Sequence, residues 1–329
     1  MELLVGLDIG FGAIKWTSDG KTVHTVPTLA VPTVFEDADV WVDGQGYLVG
    51  EHAEREDPTL TSQDVSWERV DTPEFRAVLG YVLAGIPTGN PDGIEIVTGL
   101  PYGSTDREEE RWRTFLQTFS GPVKRGDGRT WRGPLQRAQI RRQAMAALVD
   151  AVFDEHNQPR RRELLQEGLK LALVDVGYKT TDLVTCELFP QYVALPSLSG
   201  SKNIGVVTVE GVLQAQYSRQ YGTETLSRQN LRLILQQKPI YRFGNRIELP
   251  IQPATEYTVS QIKRFIESKW RDARENIARV MIAGGGGALL GEKLRSLHEH
   301  SEVLPEPQGA NARGFYKLGL FAKRRGERV

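Results

Sequence analysis

Two short strings in this 329-residue chain place an acidic residue, a glycine and an aromatic residue in the same order. They are Leu7-Asp8-Ile9-Gly10-Phe11 near the start and Val174-Asp175-Val176-Gly177-Tyr178 about half a chain later. Each closes an apolar run that reads as a strand and opens a turn that reads as a hairpin. Glycine lets backbone N–H groups approach phosphate oxygens and takes positive φ freely, while a carboxylate at a strand end can hold Mg2+, usually through water. One Asp-x-Gly turn carries little information, because such turns are everywhere. Two matching copies point to two related domains whose turns face one another across a cleft and clamp a polyphosphate between them.

A third string, Arg279-Val-Met-Ile-Ala-Gly284-Gly-Gly-Gly287-Ala-Leu-Leu, is an apolar strand running into four glycines and then a helix. Backbone without side chains at Gly284, Gly285, Gly286 and Gly287 lets a flat base or a phosphate lie against the helix start. A plain helix-start glycine run is the alternative. A dinucleotide fingerprint does not fit, because Leu289 and Leu290 fill the slots of the third glycine, and no Walker A string is present.

The elements that must position these strings alternate between strand and helix. Residues 3–8 and 11–16 read as a hairpin and 21–26 as a further strand. From 27 to about 70 the pattern is punctuated by Pro27, Pro32, Pro58 and the turn Asp43-Gly-Gln-Gly46, as a small inserted subdomain would be. Helical spacing returns at 73–83, a strand at 94–98, a helix with an acidic start at 107–119, a strand at 136–140 and a helix at 143–153. After the basic stretch 157–163, strands run from 171 to about 186. Helices follow at 207–219, 224–235 and 259–274, then a strand at 278–283. The pattern predicts an α/β protein with mostly covered sheets in two domains.

Bulk composition narrows the function classes. Lys and Arg total 41 against 42 for Asp and Glu, so no global basic field recruits nucleic acid and direct nucleic-acid binding is not expected. Apolar stretches break well before the ~18 residues a membrane span needs, and Glu2 and Asp8 stand where a basic leader would be, so a cytoplasmic protein without a membrane partner is expected. The single Cys186 supports neither a disulfide framework nor a metal knuckle, and His298-Glu-His300 reads as solvated surface.

The ordered set of strings resembles the phosphate 1, phosphate 2 and adenosine motifs of the actin superfamily, and within it the ParM/StbA group of bacterial and archaeal actin-like proteins. Carrying that resemblance are Asp8-Ile-Gly10-Phe-Gly12-Ala-Ile-Lys15, Asp175-Val-Gly177-Tyr-Lys-Thr180-Thr181-Asp182 and Gly284 to Gly287. Supporting strings are Thr98-Gly-Leu-Pro101, Tyr47-Leu-Val-Gly50-Glu51 and Gly309-Ala-Asn-Ala-Arg-Gly-Phe315. It implies a two-domain actin-like, ribonuclease H-like fold with nucleotide in the interdomain cleft. Domain I would span 1–150, with an insert at about 27–70 and a C-terminal return at about 310–329 that completes its sheet; domain II would span 151–309.

The resemblance also implies roles. ATP or GTP would bind with Mg2+ held through water by Asp8 and Asp175. Around it would stand Gly10, Phe11, Gly12, Lys15, Gly177, Tyr178, Lys179, Thr180 and the four glycines. Gln143, at the start of its helix, falls where these proteins orient the attacking water, with helix capping as the plainer role; Arg141 and Arg142 stand where the family often has proline. Tyr178 and Lys179 replace glycines common in the second loop. Tyr178 is expected to pack outward and Lys179 to point to solvent, the alternative being a cation beside the phosphates. The implied function is a nucleotide-dependent, polymerising ATPase filament that makes no direct DNA contact and is linked to plasmid DNA by an adaptor protein. A nucleotide-regulated scaffold and a small-molecule kinase, for which Asp182 is the one nearby catalytic carboxylate, are the rivals.

Overall fold

The computed structural model of the chain describes residues 3–56, 70, 72–86, 94–133, 135, 138–222 and 225–325. Residues 57–69 of the expected insert, 136–137 of the expected strand, 224 of the expected helix and 326–329 of the expected C-terminal return lie outside them.

The first apolar run forms strand Leu3–Ile9, buried over its last six residues. It pairs antiparallel with Ala13–Thr17, which pairs in turn with His24–Pro27. On its other side Ile94–Leu100 runs parallel to it, and Ala138–Arg142 runs parallel to Ile94–Leu100, completing a five-stranded sheet. All seven residues of Ile94–Leu100 are buried, as a strand covered on both faces requires.

The second copy of the motif builds a second sheet by the same device. Lys170–Val176 pairs antiparallel with Thr181–Glu187 and parallel with Ile277–Ala283, within a six-stranded sheet. Helices Val206–Tyr221, Arg228–Leu235, Gln252–Trp270 and Gly285–Leu294 supply its apolar cover through Leu213, Leu231, Ile262, Ile266 and Leu290.

The insert region differs from its sequence reading. Ala30–Thr33, Gln45–Val49 and Val40–Val42 form three strands of a small sheet, turned at Asp43 and Gly44 with φ of 52° and 84°. Its other two strands, Val123–Arg125 and Thr130–Trp131, come from a stretch the periodicity left unassigned. Helix Pro73–Gly85 lies against this sheet, its Gly80 facing Val123 and Val42. Thr72 caps that helix and Pro73 begins it; Thr105 and Glu108 form a capping box at the acidic start of Asp106–Thr118.

Helix Gln143–Val152 joins the two halves, with Ala144, Ala147 and Leu148 packed beside Leu171, Leu173 and Val184 of the second sheet. Helix Ala310–Arg324 crosses it closely: a Cβ on Gly314 would lie 1.8 Å from the Ala146 carbonyl oxygen. The same helix presses on the first sheet, where a Cβ on Gly6 would lie 2.1 Å from the Ala312 carbonyl oxygen. The C-terminal segment thus lays a helix on the first sheet instead of adding a strand to it. Between the two helices, Lys317 Nζ meets Asp150 Oδ1 at 2.6 Å and Arg313 meets Asp150 Oδ2 at 2.9 Å.

Candidate functional site

The two Asp-x-Gly turns are closed identically. Gly10 N donates to the Ala13 carbonyl at 3.1 Å, and Gly177 N donates to the Thr180 carbonyl at 2.8 Å. In each hairpin the residue opposite the aspartate shares its face, and here the copies diverge. Lys15 stands opposite Asp8, whereas Asp182 stands opposite Asp175.

Asp8 is 3% exposed, with Lys15 Nζ donating to Oδ2 and Gln143 Nε2 donating to Oδ1, both at 3.0 Å. Asp175 accepts at Oδ2 from Asn311 Nδ2 at 2.7 Å. Burial pushes its pKa up to about 7; the Asn311 hydrogen bond opposes this, and the charges of Asp182 and Asp8 add to it. Asp182 accepts from Tyr102 N at 2.9 Å and from Thr180 Oγ1 at 3.0 Å, and lies fully buried behind the turn.

The glycine run divides by function. Strand Ile277–Ala283 enters it and helix Gly285–Leu294 leaves it. Gly284 has φ of 87°, and a Cβ there would lie 2.4 Å from Asp175 Oδ1; a Cβ on Gly286 would lie 2.5 Å from Val176 Cγ1. These two glycines let the helix start press against the strand end that carries Asp175. Gly285 lines the cleft, where a Cβ would make only ordinary contact, 3.8 Å from Gln308 Cγ. Gly287 instead faces Ile282 and Pro307 and does not line the cleft.

Between the turns lies a cleft of about 310 Å³, within the size range of small-molecule sites. It brings together Asp8, Gly10, Phe11, Gly12, Lys15, Gln143, Asp175, Gly177, Tyr178, Lys179, Thr180, Gly284, Gly285 and Gly286. It also exposes residues that sequence reasoning missed: Glu54, Glu210, Arg228, Arg232, Gln308 and Asn311.

Two expectations about the second turn are corrected. Tyr178 packs inward: its hydroxyl donates to Glu210 Oε2 at 2.5 Å and accepts from Arg228 Nη1 at 2.7 Å, and a Cβ on Gly12 would lie 3.1 Å from Cγ of its ring. Burial, reinforced by the Glu210 carboxylate, holds the phenol well above its ordinary pKa. Lys179 does not run to solvent; its Nζ sits 4.8 Å from the Phe11 ring centroid, across the cleft. At the mouth, Arg232 Nη1 meets Glu51 at 3.1 Å and Nε meets Glu54 at 2.9 Å, joining helix Arg228–Leu235 to helix Glu51–Glu56. Burial pushes the pKa of Glu54 up, against the pull of Arg232. His298 is likewise buried, not solvated, and accepts from the His300 backbone N–H at 3.1 Å.

Among the described residues no three His, Cys, Asp or Glu side chains converge to cage a metal ion. The donor set suits a hydrated Mg2+ instead, since that ion keeps several waters and takes one or two carboxylates plus phosphate oxygens. Asp8 and Asp175 would supply the carboxylates, and Asn311 Oδ1, buried in the same wall, has no hydrogen-bond partner among the described residues.

Two family models match the chain: the N-terminal domain of actin-like proteins over residues 6–145, and the C-terminal domain of archaeal MreB-like actin homologues over residues 173–296. The chain belongs to the actin superfamily. No curated protein matches this actin-like chain in sequence. Among solved structures, a non-polymerisable quadruple mutant of pCBH ParM superposes with a TM-score of 0.85 at 22% identity, over 97% of this chain and 99% of that one. A 15-stranded ParM filament from Clostridium botulinum gives 0.85 at 20% identity, over 97% and 99%. An archaeal actin homologue in complex with ADP gives 0.77 at 20% identity, over 98% and 99%. These likenesses establish the two-domain actin-like fold. No helix among the described residues is long and apolar enough to cross a membrane.

Proposed function

We propose that this actin-like protein hydrolyses a purine nucleoside triphosphate, ATP or GTP, and couples that step to assembly and disassembly of its own filament in the cytoplasm. The observation that carries the reading is the pair of identically closed Asp-x-Gly turns facing one cleft, with Gln143 bonded to Asp8 between them. Backbone N–H groups of both turns would surround the β- and γ-phosphates, with Lys15 and Thr180 adding side-chain contacts and the glycine run receiving the nucleoside. Mg2+, when bound, neutralises phosphate charge, with Asp8 and Asp175 holding it through water. Gln143 Nε2 is committed to Asp8, which turns its carbonyl oxygen away from that carboxylate, as an acceptor for the attacking water. Hydrolysis of this kind is mostly positioning and charge neutralisation, so a neutral amide as the orienting group gives a slow intrinsic rate.

Closure of the two domains over the nucleotide would alter the outer faces, and head-to-tail contacts that do not close into a ring give open polymers. Segregation of plasmid DNA through an adaptor protein is the proposed task; a nucleotide-regulated scaffold is the second reading. The kinase reading loses its residue, because Asp182 is spent on Tyr102 N and Thr180 Oγ1 and does not line the cleft. Light scattering and pelleting with Mg2+ and ATP or GTP test the proposal. Scattering should rise on addition, decay as phosphate is released, and persist with a non-hydrolysable analogue. Phosphate release without any polymer, across both nucleotides and a wide salt range, would remove the assembly half of the proposal.

A further inference from the structure

Asn311 was not among the residues that the sequence marked for the cleft, yet its side chain is placed as a metal-site residue would be. It is 6% exposed, lies in the first turn of helix Ala310–Arg324, and forms part of the cleft wall. Its Nδ2 donates to Asp175 Oδ2 at 2.7 Å. A carboxylate can only accept, so the amide must turn its NH2 towards Asp175 and its oxygen away. That oxygen, Oδ1, is buried and has no hydrogen-bond partner among the described residues. A buried acceptor left unmet is costly, and a site that keeps one calls for a donor such as a water or a hydrated ion. The other oxygen of Asp175 lies beside Gly284, where a Cβ would come within 2.4 Å of it.

Resting on the reading of this cleft as a nucleotide site, we infer that Asn311 is a positioning residue for Mg2+: Nδ2 orients Asp175, and Oδ1 accepts a hydrogen bond from a water of the hydrated ion. Water bound to Mg2+ is a strong donor, and the ion keeps several such waters when one or two carboxylates hold it. An acceptor on the same amide group that grips Asp175 would be within reach of a water held by that carboxylate. A ribose hydroxyl would also be a donor, but its capture would not depend on the metal.

The test is a Mg2+ titration of fluorescent-nucleotide binding to the full-length protein and to Asn311→Ala and Asn311→Ser, with parallel binding in EDTA and thermal midpoints without metal. The Mg2+ concentration for half-maximal effect should rise at least ~10-fold in both variants, as for loss of an outer-shell partner, while binding in EDTA matches wild type. An unchanged Mg2+ midpoint in a variant that keeps the wild-type thermal midpoint overturns the inference. So does an equal loss of affinity with and without Mg2+, which would make Asn311 a nucleotide contact. The serine variant serves if the alanine variant does not fold. If wild-type protein binds no nucleotide at all, it is the nucleotide-site reading itself that fails.

Discussion

Gln143 and Asp8 stand 135 residues apart in sequence, yet Nε2 of the first donates to Oδ1 of the second at 3.0 Å. The bond ties the start of the helix between the domains to the first phosphate turn, so Gln143 is held in one orientation before any ligand arrives. Replacing it with alanine should leave nucleotide affinity within a few-fold of wild type and slow hydrolysis at least ~10-fold, because water placement acts on the barrier more than on ground-state binding. Single-turnover hydrolysis alongside equilibrium binding checks this. Collapsed affinity with unchanged turnover per bound nucleotide would make Gln143 a structural residue.

Asp175→Ala should abolish Mg2+-dependent hydrolysis. With the carboxylate gone, only Asp8 remains to hold the ion, and loss of a metal-holding group removes several kcal/mol of transition-state stabilisation. The same variant should fold, because it removes a buried carboxylate whose ionisation burial already opposes. Near-normal turnover would exclude Asp175 from the site.

Arg232 bridges the mouth of the cleft to Glu51 and to the buried Glu54. A partly exposed pair of this kind is worth about 1 kcal/mol, so Arg232→Ala should speed nucleotide release about fivefold. Displacement of a fluorescent nucleotide in a stopped-flow instrument measures it, and raised salt should narrow the difference between the two proteins. Equal release rates at low salt would show that the bridge does not gate the cleft.

Gly314→Ala should destabilise the protein by about 1–3 kcal/mol or prevent folding, since its Cβ would lie 1.8 Å from the Ala146 carbonyl and one helix must move. Gly211→Ala is the control. Gly211 lies within helix Val206–Tyr221 with open space around it, so the change should add up to ~1 kcal/mol. Denaturant midpoints of the two variants should shift in opposite directions.

What could be read in the sequence was what repeats or what local chemistry dictates. The two Asp-x-Gly turns announced themselves because the same five-residue pattern occurs twice, and Gly284 and Gly286 because they stand in a run of four; that the missing side chains make room for Val176 and Asp175 appears only in the fold. The orientations of Tyr178 and Lys179 were hidden, because they depend on Glu210, Arg228 and Phe11, none adjacent in sequence. Arg232 and Glu54 were invisible for a related reason: a charged residue on a short helix looks solvated until its partner is known. Strands Val123–Arg125 and Thr130–Trp131 are three and two residues long, too short to show a period of two. Gly287 passed as a ligand residue only because it continues a run.

The small sheet beside the cleft takes three strands from 30–49 and two from 123–131, with Val40–Val42 paired to Val123–Arg125 across the join. It is therefore sewn into the first domain along two seams. A chimera that exchanges only the earlier stretch with a relative would leave Trp131, 1% exposed, and Val123, 2% exposed, facing a foreign surface. The unit that can be transplanted is the discontinuous pair, and grafting experiments on this lobe need both cuts.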